Sequence, residues 1–229
     1  MKALLHLIAP QYCMICIEKT GSLQVLCDYC EHCLPWIGEN CCDSCALPLH
    51  NSETQYCGIC ATNSIAFNRT LSAFNYIKPI DKWIKQLKFK HQYGIAKTLG
   101  QFLIKKIKAD SNYTQIETII PIPIHYRRWL SRGYNQSALI AKHVGSALSI
   151  SVDYKLLKKI KHTPPQVKLS KKKRHRNMTK SFYAKSTNYK RVAIIDDVMT
   201  TRSTAHHAAK ALRQAGVNYI EVWCIARSI

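Results

Sequence analysis

Ten of the eleven cysteines in this 229-residue chain fall before residue 61, and their spacing leaves that segment few ways to fold. They form four CxxC pairs: Cys13 with Cys16, Cys27 with Cys30, Cys42 with Cys45, and Cys57 with Cys60. Two residues between thiolates make a tight knuckle whose sulfurs face one ion, and two knuckles complete a tetrahedral site. Pairing neighbours gives one site from Cys13, Cys16, Cys27 and Cys30, and another from Cys42, Cys45, Cys57 and Cys60. A cross-brace, first pair with third, satisfies the same spacing. The intervals of ten and eleven residues between paired motifs suggest a duplicated unit. Cys33 and Cys41 read as spares, and His32 as a substitute ligand. A disulfide framework or an iron–sulfur cluster would draw on the same residues, but nothing else in the chain points to export. So short a segment has too few apolar residues for its own core, so bound metal supplies folding energy. All-sulfur ligands predict closed, structural sites for one or two Zn²⁺ ions. The shift in composition after Cys60 predicts a cysteine-rich head over residues 1–62 and a second domain over 63–229.

In that second part the most informative stretch is VAIIDDVMTTRST, Val192 to Thr204. Four apolar residues in a row read as a strand buried on both faces of a parallel sheet. The strand ends in Asp196 and Asp197, then in a hydroxyl-rich turn through Thr200, Thr201, Arg202, Ser203 and Thr204. A helix to about Ala215 follows, with Ala205, Ala208, Ala209 and Leu212 on its apolar face and Gly216 as its stop. Turn amides, helix dipole and hydroxyls together suit a phosphate. The two carboxylates are placed to accept hydrogen bonds from vicinal sugar hydroxyls or to reach a hard cation. A sugar phosphate has that chemistry.

Upstream, RTLSAFNY over Arg69–Tyr76 alternates like an edge strand, and helical stretches follow at Ile80–Leu87 and Ile95–Lys108. Lys88, in Lys88-Phe89-Lys90-His91, is a basic residue placed to reach a pyrophosphate. IETIIPIPI is a strand that must leave the sheet at Pro121 and Pro123, and the carboxyl end of a parallel strand is where open α/β sheets bind ligands. Directly after it, Arg127, Arg128 and Arg132 alternate with Tyr126, Trp129 and Tyr134. Such interleaving grips phosphates while rings stack on bases. Lys155 to Lys180 holds eleven lysines and arginines and no acid, densest at Lys171, Lys172, Lys173, Arg174 and Arg176. That run predicts a mobile basic loop that closes over a phosphorylated ligand or tracks a nucleic-acid backbone.

The whole chain carries a formal charge of +21, from 34 basic against 13 acidic residues. Such an excess self-repels unless a polyanion neutralises it, so nucleic acid or an anionic membrane surface is the natural partner. No apolar run approaches the roughly 18 residues of a membrane span. The opening MKALLHLIAP is too short and too broken for a signal peptide, and reads as a helical turn packed on the body of a cytoplasmic protein.

IIDDVMTTRST resembles the phosphoribosyl-pyrophosphate (PRPP) loop of type I phosphoribosyltransferases, two hydrophobics followed by DDVxTTGxT. That resemblance implies that Asp196 and Asp197 hold the ribose hydroxyls and that Thr200 to Thr204 wrap the 5′-phosphate, with Mg²⁺ arriving on PRPP. Arg202 stands where the family has glycine, adding a guanidinium suited to phosphate and a Cβ that glycine lacks. Over nearly its full length the chain resembles the ComF family. The matching residues are the CxxC pairs with Leu34-Pro35-Trp36, Lys88-Phe89, the PxP at Pro121–Pro123 and Arg132-Gly133-Tyr134-Asn135-Gln136. Gln166, Arg174, Asn177 and Phe182 also match, before the PRPP-like loop. The resemblance implies an α/β, type I phosphoribosyltransferase-like domain with a mostly parallel sheet behind a zinc-ribbon-like head. It implies handling of single-stranded DNA in the cytoplasm during natural transformation, with a helicase or uptake-machinery partner. The alternatives are an active phosphoribosyltransferase of unassigned acceptor and a zinc-dependent partner-binding module.

Overall fold

Residues Val192 to Ile195 are fully buried, as a strand packed on both faces requires. The computed structural model describes residues 12–21, 25–49, 54–110, 113, 115–160 and 181–229. The opening ten residues and the densest basic positions, Lys171, Lys172, Lys173, Arg174 and Arg176, lie outside the described residues. The chain divides into two compact units, Met1–Trp36 and Ile37–Ile229.

In the larger unit, five strands among the described residues form one sheet in the order β1-β7-β6-β2-β3. They are β1 (Arg69–Asn75), β2 (Thr118–Pro121), β3 (Ser151–Val152), β6 (Arg191–Met199) and β7 (Tyr219–Arg227). Every pairing is parallel, with Ile194 opposite Ile120 on one side and Val222 on the other. The short strands β4 (Leu157–Lys159) and β5 (Phe182–Ala184) pair antiparallel beside it. RTLSAFN is the edge strand its alternation predicts, and β2 stops at Pro121, the first of the two prolines.

Helices cover both faces of the sheet. One face receives α7 (Ser203–Gln214): Val192, Ile194, Ile220 and Val222 share a core cluster with Ala205, Ala208, Ala209 and Leu212. Toward the other face lie α4 (Gly94–Lys108) and α6 (Gln136–Leu148), which pack on each other and on the sheet. Two further helices, α3 (Ile80–Phe89) and α5 (Tyr126–Arg132), deliver residues to the carboxyl end of the strands. The helix after the hydroxyl-rich turn ends before Gly216, whose φ of +105° suits a residue without a Cβ. This is the mostly parallel, helix-flanked sheet expected of a phosphoribosyltransferase-like α/β fold.

The two halves of the cysteine-rich segment are built alike. In the smaller unit, Tyr12 bridges Lys19, the Cys13 amide donates to the Glu18 carbonyl at 2.8 Å, and Ile17 takes φ +65°. Helix α1 (Asp28–His32) then follows Cys27. In the larger unit, Cys41 bridges Pro48, the Cys42 amide donates to the Leu47 carbonyl at 2.8 Å, and Ala46 takes φ +53°. Helix α2 (Gly58–Thr62) then follows Cys57. The second half joins the larger unit because Cys42, Cys45 and Cys57 are buried in the same apolar cluster as β6 and α7. The expected boundary at residues 62–63 therefore falls inside that unit.

Candidate functional site

Strand β6 carries its acidic pair to the carboxyl end of the sheet. Asp197 is 3% exposed, and its Oδ2 meets the Lys88 Nζ, from the last turn of α3, at 2.6 Å. Asp196 accepts hydrogen bonds from the Ser137 hydroxyl at 3.1 Å and from the Asp197 amide at 2.9 Å, and keeps one face open to a cavity. Burial, reinforced by the neighbouring Asp197 charge, pushes the Asp196 carboxyl up to about 7, against the pull of Lys88 and its hydrogen bonds.

The cavity beside the two carboxylates measures about 370 Å³, and its cationic wall is Lys88, Arg128, Arg132 and Lys159. Thr204 reaches it from α7. An outer cavity of about 420 Å³ shares Lys88, Phe89, Arg128 and Arg132 with the first and adds His91, Arg127 and Ser131. The arginines expected to hold nucleic acid therefore divide: Arg128 and Arg132 serve both cavities, and Arg127 only the outer one. Phe89, Tyr126 and Trp129 around them are exposed.

The turn after β6 encloses a third, small cavity of about 20 Å³, bordered by Asp196, Thr200, Thr201, Arg202 and Thr204. Thr204 and Asp196 line this space and the 370 Å³ cavity alike. Ser203 borders neither; it opens α7 and its carbonyl meets the His207 Nδ1 at 2.7 Å. Arg202 takes φ +62° and ψ −12°, the left-handed conformation that glycine adopts freely. Its Nη1 donates to the Cys60 Sγ at 2.8 Å.

The stretch Arg132-Gly133-Tyr134-Asn135-Gln136 is the scaffold of the site. Gly133 closes α5 at φ +78°. Tyr134 is buried edge-on to Tyr93 and donates to the Leu87 carbonyl, fixing the helix that carries Lys88. Asn135 caps α6 by accepting from the Ser137 amide, and donates to the Ile122 carbonyl at 2.9 Å, holding the chain just past Pro121. Gln136 accepts from Arg132 at 2.7 Å. Ser137 is a site residue that the sequence reading missed, and Lys159 one that it held only as part of a basic run. Ser137 sits at a helix N-terminus beside a motif already singled out; Lys159 belongs to the basic run from Lys155 to Lys180, whose residues 157–159 form strand β4 and not the mobile loop expected.

Both cysteine clusters assemble as neighbour pairs: the four Sγ atoms of Cys13, Cys16, Cys27 and Cys30 lie within 4.8 Å of one another, as do those of Cys42, Cys45, Cys57 and Cys60. Cys16 and Cys27 are 3.6 Å apart, and Cys45 and Cys57 3.8 Å. A tetrahedron of Zn–S bonds of about 2.3 Å has edges of about 3.8 Å, so the donor sets fit tetrathiolate zinc. His32, Cys33 and Cys41 stand outside both clusters among the described residues.

Comparison with known proteins matches residues 4–61 to the double zinc ribbon domain. The chain is 34% identical to "Competence protein F" of Haemophilus influenzae, over 98% of this chain and 93% of that one. The chain belongs to the ComF family. Other members are "DNA utilization protein YhgH" of Escherichia coli O157:H7, 30% identical over 82% of this chain and 84% of that one, and "Competence protein ComFC" of Streptococcus pneumoniae, 23% identical over 88% and 87%. Among solved structures, the allosteric regulatory enzyme of purine biosynthesis aligns at 19% identity and TM-score 0.36, over 56% of this chain and 25% of that one. Leishmania donovani UMP synthase aligns at 14% identity and TM-score 0.34, over 61% and 22%. The two cysteine clusters of this ComF-family chain are structural zinc sites. No helix among the described residues is long and apolar enough to cross a membrane.

Proposed function

We propose that this protein handles single-stranded DNA in the cytoplasm during natural transformation and binds PRPP or a related sugar phosphate beside Asp196 and Asp197. The observation that carries the reading is the cationic wall shared by the 370 and 420 Å³ cavities. Arg128, Arg132, Lys88 and the exposed Phe89 line both, so the cations beside the acidic pair also face the outer cavity, and Tyr126 and Trp129 are exposed on the same helix as the arginines. Phosphates held by arginines with bases stacked on rings is the chemistry of sequence-indifferent strand binding. In the inner cavity the carboxylates receive ribose hydroxyls and the cationic wall receives the pyrophosphate, while the 5′-phosphate lies toward the adjoining turn, where Thr204 borders both spaces and Thr200 and Thr201 border the smaller one. Mg²⁺ bound to PRPP would offset the pyrophosphate charge. The Lys88–Asp197 ion pair keeps the charge of Asp197 compensated until ligand hydroxyls arrive.

Calorimetric titration with Mg–PRPP tests the pocket. The Asp196→Ala, Asp197→Ala double variant should lose binding by at least about ten-fold, the cost of removing charged hydrogen-bond acceptors. An unchanged affinity removes the pocket from the reading. One observation favours a transferase: Arg202 holds the glycine-like backbone of the loop, so the substitution leaves the turn's path intact. Release of pyrophosphate with any base of a broad panel would establish that activity. PRPP binding without release leaves a binding pocket.

A further inference from the structure

We infer that the Cys42–Cys60 zinc cluster positions the phosphate turn through Arg202 and Arg227, so that metal in the cluster and phosphate in the turn support each other's binding. The inference rests on the reading of residues 199–204 as a phosphate turn. A non-glycine residue at positive φ costs on the order of 1–2 kcal/mol and persists where its surroundings hold it there. Two bonds hold Arg202: its carbonyl accepts from the His206 amide at 2.8 Å, and its guanidinium donates to the Cys60 sulfur at 2.8 Å, the one that ties it to the cluster. Four thiolates around one divalent ion leave net negative charge on sulfur, and a guanidinium donor is a charge-assisted partner for it.

A second arginine makes the same connection through backbone. Arg227, at the end of β7, is 5% exposed. Its Nε donates to the Cys45 carbonyl at 2.8 Å, and its Nη1 donates to the carbonyls of Met199 at 3.0 Å and Thr200 at 2.7 Å. One buried guanidinium thus spans the metal knuckle and the first residues of the turn. Cys42 and Cys45 are wholly buried, so the knuckle is anchored in the core on its other side. Arg202 and Arg227 are positioning residues: they act on phosphate through the turn's shape. The arginine in place of the family's glycine then has a reason, since it exchanges glycine's conformational freedom for an anchor on the metal site.

The test uses full-length zinc-loaded protein and the Arg202→Met variant, which keeps a Cβ and loses the donor. In the presence of a zinc chelator, alkylation of Cys57 and Cys60 should speed up about ten-fold in the variant, the lower end for loss of a partner to a metal ligand. Cys27 and Cys30, in the other cluster, serve as the internal control and should keep their rate. Amide hydrogen exchange over residues 199–204 should rise in the variant, and in wild type when chelator removes zinc, which keeps the test valid if the variant folds poorly. Saturating PRPP should slow alkylation of Cys57 and Cys60 in wild type and not in the variant, because coupling between two sites is reciprocal. If PRPP binds but neither alkylation nor exchange moves, the coupling is wrong and the pocket stands. If PRPP binds neither protein while alkylation and exchange respond, the coupling holds and the ligand reading fails.

Discussion

Asp196 holds its proton near neutrality because burial and the adjacent Asp197 charge both oppose a second negative charge, raising it to about 7. Ribose hydroxyls donate to a carboxylate better than to a carboxylic acid, so ligand binding draws on the ionised form. Affinity for PRPP should therefore fall as pH drops through 7, by about ten-fold between pH 8 and pH 6. The Asp196→Asn variant removes that component, and calorimetry on both proteins separates it from titration of the ligand's own phosphates. Identical pH profiles would show that Asp196 does not take part. For the fold the sign is reversed: the folded carboxyl holds its proton more tightly than the free one at 3.8. Its contribution to stability is full below that value and fades as pH rises through 7. A different buried acid serves structure alone. Glu221 is fully buried, and accepts from Arg69 Nε at 2.9 Å and Trp223 Nε1 at 2.7 Å. Arg69→Met leaves that charge without its cationic partner and should cost about 3 kcal/mol in denaturant unfolding.

At the level of elements, the site depends on how α6 seats on the sheet, because its first turn carries Gln136 and Ser137. Gly145 sets that seat: a Cβ there would lie 2.5 Å from Val152 Cγ2 and 2.8 Å from the Ile150 carbonyl oxygen. Gly145→Ala should push α6 outward, costing about 1–3 kcal/mol of stability. It should also weaken PRPP binding by moving Ser137 off Asp196; unfolding curves and titrations report the two effects separately. What was legible in the sequence follows the reach of each signal. The strand, acidic pair, turn and helix of residues 191–214 are contiguous, so hydrophobic periodicity and turn chemistry display them together. The CxxC spacing reveals ligand sets because each knuckle is local, yet it left the pairing open between neighbours and a cross-brace. That the second half of the cysteine-rich segment shares a core with β6 was not legible, since Cys57, Val192 and Ala208 join one apolar cluster only through tertiary packing. Lys159 was legible only as one of eleven basic residues in the run from Lys155 to Lys180; that strand β4 brings this one to the cavity depends on tertiary packing.

On the scale of the whole molecule, the proposed strand binding draws on the formal charge of +21, and in it the two cavities that share Lys88, Arg128 and Arg132 give part of that charge a place to act. Binding of a single strand releases condensed counterions, so the logarithm of affinity should fall linearly with the logarithm of salt, by about 0.7 for each phosphate neutralised. Replacing Arg127, Arg128 and Arg132 with glutamine should flatten that slope by about 2 if each meets one phosphate. A steep slope unchanged in the triple variant would move the strand onto the basic run from Lys155 to Lys180; affinity indifferent to salt would remove nucleic acid from the reading. Because Arg128 and Arg132 line both larger cavities, strand and sugar phosphate draw on the same cations. Saturating PRPP should therefore weaken single-strand binding in wild type and leave it unchanged in the Asp196→Ala, Asp197→Ala protein. Fluorescence anisotropy of a labelled oligonucleotide at two salt concentrations, with and without PRPP, measures slope and competition in one series. Independent binding of the two ligands would mean that the strand follows a path outside these cavities.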